Sequence, residues 1–240
     1  MVRIEKFDLA PGRIIAKKFE IISQLGAGWE GEVYKVREIN TKIERAAKLF
    51  FPQRNNKNKT AILYAKKLHK LRHCKILIHY HTEENLVFKK VPIKVLVSEY
   101  VEGELLSNFV KYFPGKRLSY YQGLHLLYSL VKGIEEIHFL NEYHGDLHQD
   151  NIIVNRFGLN FELKLVDMYH WNDSKKSNKD EDIYDLIRIF YDCIGGNKRY
   201  KTLPKEVKNI CCGLKRSLIR KKFRTISYLR EHLEELSFIG

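Results

Sequence analysis

Apolar and polar positions change period along the chain, from short alternating runs in its N-terminal part to longer helical stripes beyond them. Phe19 to Leu25 alternates in part, Gly26-Ala27-Gly28-Trp29-Glu30-Gly31 interrupts it, and Glu32 to Val36 resumes strand texture. The β-branched Val33 and Val36 argue for a hairpin with a glycine-rich turn rather than a helix opening at the glycines. Arg45 to Phe51 is a mostly apolar strand with one lysine, Lys48, after two alanines. A polar loop follows, and Thr60 is placed to cap a helix from Ala61 to Arg72, on which Tyr64, Leu68 and Leu71 share one face. Ile76 to Tyr80, Leu86 to Val91 and Lys94 to Glu99 read as three short strands, and Tyr100 to Glu104 as a hinge.

Beyond Leu105 the texture is helical. Tyr121 to Phe139 carries Leu124, Leu127, Leu130, Val131, Ile134 and Ile137 on one stripe. The polar stretch His144-Gly145-Asp146-Leu147-His148-Gln149-Asp150-Asn151 comes next, then two strands, Ile152 to Asn155 and Glu162 to Val166, joined by a loop containing Gly158. Strands first and helices later predict an α+β chain of 240 residues, long enough for one domain or two coupled lobes.

Composition adds three constraints. No run nears the roughly 18 apolar residues of a membrane span, and the N-terminus lacks the apolar core of a secretory signal, so a cytoplasmic protein with no membrane contact is expected. Cys74 and Cys193 are isolated and Cys211 and Cys212 adjacent, a spacing that fits reduced thiols better than disulfides or a metal site. The net charge is +14, and between Lys198 and Arg224 the only acid is Glu206. That segment suits an acidic partner (nucleic acid, a phosphorylated ligand or an anionic protein) or is a solvated basic face; no aromatic-interleaved pattern singles out nucleic acid.

The candidate chemistry concerns phosphate. Glycines in the hairpin turn let backbone N–H groups approach phosphate oxygens, and Lys48 could reach the α and β phosphates of a nucleotide under that turn. Asp146, Asn151 and Asp167, the last directly after a strand, form a set of hard oxygen ligands suited to Mg²⁺ and phosphate. Each has an ordinary alternative: a glycine hairpin, an edge-strand lysine, a turn aspartate.

Taken in order, these residues resemble the protein kinase superfamily, in a eukaryotic-like serine/threonine form with an atypical catalytic loop. The resemblance rests on the glycine loop from Gly26 to Val33, the lysine of Ala46-Ala47-Lys48, the hinge Ser98-Glu99-Tyr100-Val101, the loop His144 to Asn151, and Asp167. It continues in Asp182 to Tyr191, which looks like the family's buried central helix, and in Leu203 to Val207, similar to the start of a later one. It implies a mainly β N-lobe over residues 1–97, a hinge over 98–104 and a mainly helical C-lobe over 105–240. It also implies ATP bound between lobes, with Gly26, Gly28, Gly31, Val33, Lys48, Glu99, Val101 and Glu104 around it, Glu104 toward the ribose. Asn151 and Asp167 would hold Mg²⁺, Asp146 would orient or deprotonate the acceptor hydroxyl, and His148 would stand near the γ-phosphate.

The departures from the family pattern are specific. The family pairs its strand lysine with a helix glutamate, whereas Tyr64 occupies that place here and no acid lies between Arg45 and Thr82. Lys48 must find another partner: Asp167, a phosphate, Glu30 or Glu32. Gly145 replaces the arginine that grips a phosphorylated activation loop, the segment from Asp167 to Asp182 is short, no Ala-Pro-Glu motif ends it, and Lys222 stands where that motif's arginine partner is expected. His148 takes the place of a lysine, and His-Gly-Asp-Leu-His is also similar to aminoglycoside and choline phosphotransferases. Met168-Tyr169 replaces Phe-Gly, and a tyrosine tolerates positive φ poorly, which disfavours a loop flip. The expected function is transfer from ATP to a protein Ser or Thr hydroxyl without activation-loop control. The alternatives are a small-molecule phosphotransferase and a pseudokinase or scaffold that binds an acidic partner.

Overall fold

A computed structural model describes residues 3–157, 160–170 and 173–236. Gly158 lies outside them. The chain divides into two compact units, Met1–Arg72 with Ile78–Val101, and His73–Leu77 with Glu102–Gly240.

The first unit is an antiparallel sheet of six strands in the order β1-β2-β3-β4-β6-β5: β1 Ile14–Ile15, β2 Phe19–Ala27, β3 Gly31–Glu38, β4 Glu44–Phe50, β5 Tyr80–Phe88 and β6 Val91–Glu99. Side chains alternate across the pleat, so Ala47 and Leu49 of β4 are fully buried with Ile21, Tyr34, Val36 and Val95 while Lys48 falls on the opposite face. The N-terminal segment completes this core through Ile4, Phe7 and Leu9, and Phe7 stacks on Phe51 with ring centroids 5.2 Å apart. Glu32 is buried by the same segment: it accepts the backbone N–H of Phe7 at 3.0 Å and of Asp8 at 3.3 Å, and the Tyr34 hydroxyl.

Helix α1 spans Lys59–Lys70, with Tyr64 and Leu68 buried and Leu71 fully buried just past its end. The expected cap is absent. The helix opens after Asn58, and the Thr60 hydroxyl donates to the Arg54 carbonyl at 2.8 Å. The three short strands expected between Ile76 and Glu99 are two long ones, β5 and β6, joined by Lys89 and Lys90 with φ of 48° and 65°. Two positive-φ residues give the turn whose twist matches a hairpin, and lysine carries none of the usual Asn-Gly signal for it.

The second unit contains β7 Glu104–Leu105, β8 Ile152–Phe157 and β9 Asn160–Leu165 as a three-stranded antiparallel sheet. Its helices are α2 Leu106–Phe109, α3 Tyr120–Phe139, α4 Lys175–Cys193, α5 Gly196–Tyr200, α6 Lys205–Cys211, α7 Arg216–Lys222 and α8 Ile226–Glu234. A capping box starts α3: Ser119 Oγ accepts the Gln122 N–H at 3.2 Å and Gln122 Oε1 accepts the Ser119 N–H at 3.0 Å. Five of the six predicted stripe residues of α3 are buried; Leu124 is half-buried, and Gly123 and Leu126 face the core beside it. A Cβ at Gly123 would lie 2.4 Å from Ile194 Cγ2, so a glycine lets α3 close on the end of α4. Each fully buried Leu or Ile of this stripe contributes about 1.5–3 kcal/mol by leaving water.

Residues 73–77 belong here because the backbone stitches them to β9. Ile76 O accepts the Leu165 N–H at 2.7 Å, and Leu77 forms a parallel bridge with Leu165. Ile76 to Leu77 is therefore not the start of the strand that its apolar texture predicts. All four cysteines are free thiols; burial pushes Cys193 and Cys211 up to about 12. Part of the basic segment is neutralised internally: Arg220 meets Glu181 at 2.9 Å and Asp180 at 3.8 Å, and Arg216 bonds to Glu181. Among the described residues no helix is long and apolar enough to cross a membrane.

Candidate active site

In the first unit the period of β3 and β4 sets the site. Val33 and Lys48 are direct cross-strand partners, and Gly26 pairs with Val33 from β2. The three predicted loop glycines differ in what they do. A Cβ at Gly31 would sit 1.9 Å from the Leu49 carbonyl oxygen, so the backbones of β3 and β4 meet only because Gly31 has none. A Cβ at Gly26 or Gly28 would meet nothing within 4 Å, leaving open ground beside the hairpin.

Lys48 Nζ lies 2.8 Å from Glu30 Oε2, with side-chain exposures of 11% and 15%. It also stands 5.0 Å from the centroid of the Tyr64 ring and 5.4 Å from that of Phe50. Of the partners anticipated for Lys48, Glu30 is the one met in this unit, and Glu32 is held by the N-terminal segment. Glu99 ends β6 opposite Arg45, its N–H donating to the His79 carbonyl at 2.9 Å, and Val101 closes the unit.

In the second unit Asp146, His148 and Asn151 share one loop, and its shape follows from backbone bonds. The His144 ring is buried, accepting the Asp146 N–H at Nδ1 (3.3 Å) and contacting the Val166 carbonyl at Nε2 (3.0 Å). A backbone N–H can only donate and a carbonyl only accept, so the ring's proton is on Nε2. The Val166 N–H donates to Asn151 O and the Tyr169 N–H to His144 O, both at 3.0 Å, which ties the residues flanking Asp167 to the loop. Asp167 itself takes φ of 55°, so the left-handed residue here is Asp167 rather than Tyr169. Aspartate adopts that region more readily than most side chains.

Asn151 Nδ2 donates to the Asp146 carbonyl at 2.8 Å and to Asp146 Oδ2 at 3.2 Å. This occupies the amide's nitrogen end and leaves its oxygen as the end able to ligate a cation. His148 Nε2 is 3.7 Å from Asp146 Oδ2, an ion-pair separation, while its Nδ1 accepts the Asp150 N–H at 3.2 Å. Burial pushes the Asp146 carboxyl up, but His148, His144 and the Asn151 amide outweigh it and hold the group below its ordinary value. The Asp146 carboxylate in turn raises His148, with Asp150 and Asp167 adding to it. Glu104, expected at the ribose, pairs in β7 with Val154 of β8, the strand that leaves this loop.

Gly145 has φ of 86°, and a Cβ there would lie 2.9 Å from the Tyr143 ring and 3.0 Å from the Tyr169 carbonyl oxygen. A side chain at the position where the family pattern places an arginine would have to displace the Tyr143 ring or the Tyr169 carbonyl.

Asp182 was legible only as part of a helix. Its carboxylate has no exposure and accepts the His144 N–H at 2.7 Å, the Gly145 N–H at 2.9 Å and His138 Nε2 at 3.0 Å. The available signal was an acid in register with Leu186 and Ile189 on the apolar face of α4. Asp185, one turn on, is pushed up to about 7 by burial, with the Asp182 and Asp146 charges adding to it and Arg188 and His148 opposing. Lys222, expected near the place of an arginine, donates to the Asn209 carbonyl at 3.1 Å and lies 3.2 Å from His232 Nε2.

Among the described residues no group of three or more His, Cys, Asp or Glu is arranged to hold a metal ion. Asn151 and Asp167, the oxygen ligands expected from the sequence, lie on two stretches joined by the Val166 N–H to Asn151 O bond.

The fold is that of a protein kinase. The kinase domain of Mycobacterium tuberculosis PknI matches with a TM-score of 0.66 over 95% of this chain and 97% of that one, at 14% identity. The protein kinase domain model matches residues 19–190, and the chain belongs to that family. Among curated relatives it is 30% identical over 140 residues to the tyrosine-protein kinase SPK-1 of Girardia tigrina and 30% over 148 residues to the serine/threonine-protein kinase fray1 of Dictyostelium discoideum. These matches cover 58% and 60% of this chain but only 27% and 24% of those proteins. The probable serine/threonine-protein kinase YbdM of Bacillus subtilis is 25% identical over 94% of this chain and 91% of its own length.

Proposed function

We propose that the chain transfers the γ-phosphoryl group of ATP, with Mg²⁺, to a Ser or Thr hydroxyl of a protein. The observation that carries this is the Asp146 loop: its backbone is clamped by Asp182 and its carboxylate is bonded to Asn151. Phosphoryl transfer asks mainly for positioning and charge neutralisation, and a preorganised loop supplies the first. ATP and Mg²⁺ fit the residues present, since Gly26 and Gly28 leave open ground, Lys48 offers a cation, and Asn151 and Asp167 offer oxygens. When bound, Mg²⁺ supplies neutralisation of the phosphate charge. Lys48 would hold the α and β phosphates, Asn151 and Asp167 the metal, and Asp146 would accept or orient the acceptor's proton. Glu99 and Val101 would face the base and Glu104 the ribose. His148 would adjust the charge of Asp146.

The likeness to the serine/threonine-protein kinase fray1 and the probable serine/threonine-protein kinase YbdM supports a Ser/Thr acceptor, YbdM over nearly the whole chain. The crowded, positive-φ Gly145 supports a kinase without activation-loop phosphorylation control. A second reading, a small-molecule phosphotransferase, is favoured by His148 and the short segment from Asp167 to Asp182. The unpaired part of the basic segment from Lys198 to Arg224 would serve an acidic partner.

The test is the full chain with γ-labelled ATP and Mg²⁺, offered protein acceptors and small alcohols side by side, followed by phosphoamino-acid analysis. Label on phosphoserine or phosphothreonine is expected. Label confined to the alcohols would establish the second reading, and no label with no ATP binding would sink both.

A further inference from the structure

We infer that Glu30, on the turn of the glycine-rich hairpin, is the residue that orients Lys48 for phosphate, in the role α1 cannot fill because it carries Tyr64. The inference rests on the kinase reading above and adds a positioning residue to it.

Glu30 is not a loose loop tip. Its carbonyl accepts the Phe51 N–H at 2.9 Å, fixing its backbone to the residue after β4. The next residue, Gly31, lies flush against the Leu49 carbonyl, and the Gly28 N–H closes the turn on Gly31 O at 2.9 Å. The turn is thus fixed to the chain at Leu49 and Phe51, just beyond Lys48 in the neighbouring strand, and the Glu30 carboxylate meets Nζ at 2.8 Å with both side chains largely covered. A charge-assisted contact of that length, from a fixed turn to a side chain of the neighbouring strand, draws the ammonium group toward the hairpin. Tyr64 covers the other side, its ring centroid 5.0 Å from Nζ and its side chain 8% exposed. A cation over an aromatic face is attracted, but the ring offers no directional acceptor.

Two properties follow from this arrangement. The position of the glycine-rich turn and the orientation of the lysine are one variable, because the same residue belongs to the turn and holds the cation. Helix α1 carries no acid, so its position sets the aromatic cover of Lys48 and not the ion pair with Glu30.

The variants are Glu30→Gln, Tyr64→Glu and the double variant, each as the full chain with its Tm recorded. The first readout needs no activity: the rate at which Lys48 is acylated by a lysine-directed reagent, read by mass spectrometry. Glu30→Gln is expected to label severalfold faster than wild type, and Tyr64→Glu on that background to restore protection. The second is autophosphorylation at saturating Mg-ATP. Glu30→Gln is expected to lose about tenfold to a hundredfold in rate, the scale of a misplaced catalytic contact, while nucleotide affinity stays within about threefold. Unchanged labelling and rate in Glu30→Gln would overturn the inference. So would tighter nucleotide binding with undiminished transfer, which would make Glu30 a competitor of phosphate. Wild type that neither binds Mg-ATP nor transfers, yet shows the labelling difference, would remove the kinase reading and leave the Glu30–Lys48 pairing standing.

Discussion

Asp182 Oδ2 accepts the backbone N–H of His144 at 2.7 Å, joining a helix to a loop that lies 38 residues earlier in the chain. Its other oxygen holds Gly145, and His138 completes the set. Replacing Asp182 by Ala strands the buried His144 N–H, the part-buried Gly145 N–H and a histidine, and each unsatisfied group costs about 1–3 kcal/mol. Asp182→Ala is therefore expected to lower unfolding free energy by about 3 kcal/mol or more in urea titration. Asp182→Asn keeps one acceptor and should fall between. An Ala variant as stable as wild type would mean that the loop is held by something else.

The glycines separate by what a methyl group would meet. Gly31→Ala forces a Cβ into the Leu49 carbonyl, and Gly145→Ala combines positive φ with contacts at 2.9 and 3.0 Å. Strain of this kind costs about 1–3 kcal/mol at Gly145 and more at Gly31, where backbone blocks the way. Gly26→Ala and Gly28→Ala should leave the melting temperature within a degree or two, by about the small cost of a free surface site. Their expected defect is weaker ATP binding. Equal melting temperatures across all four variants would contradict the division.

Two raised groups give stability the same pH slope. Asp185, pushed up to about 7 by burial and by Asp182, stays protonated in the native state while its unfolded counterpart ionises near the usual carboxylate value. Native stability is therefore full below that unfolded value and falls as pH rises through about 7. Asp185→Asn should match wild type near pH 4 and exceed it near pH 8, about the two sides of that window. His148 is raised by Asp146, so its contribution is present below its unfolded value of about 6.5 and is lost as pH rises through the native one. Transfer should rise over the same interval, since a neutral His148 leaves Asp146 more basic. His148→Lys, charged throughout, is expected to flatten the rate between about pH 6 and 7.5. An unchanged profile would separate His148 from the reacting proton.

Much of this was legible because two periods carry it. The period of two on β3 and β4 put Val33 and Lys48 on one face, and the helical stripe from Leu127 to Ile137 gave α3 almost to the residue. The places that were not legible share a cause: their conformation depends on partners distant in the chain. Ile76 and Leu77 look like a strand until Leu165 captures them, and Lys89-Lys90 turns against its own propensity because β5 and β6 pair. Asp182 reads only as one residue of a buried helix until the His144 loop presents two N–H groups to it. The absence of an acid in α1 was plain from the sequence, but the choice of Glu30 over Glu32 required the N-terminal segment that claims Glu32.

The most direct measurement is γ-phosphoryl transfer by Asp146→Asn against wild type, with Mg-ATP affinity measured on the same samples. Removing the group that handles the acceptor's proton should cost at least about a hundredfold in rate and leave affinity within about threefold. Transfer that survives the substitution at near wild-type rate would contradict the account, because the chemistry would then lie elsewhere than the loop that Asp182 holds.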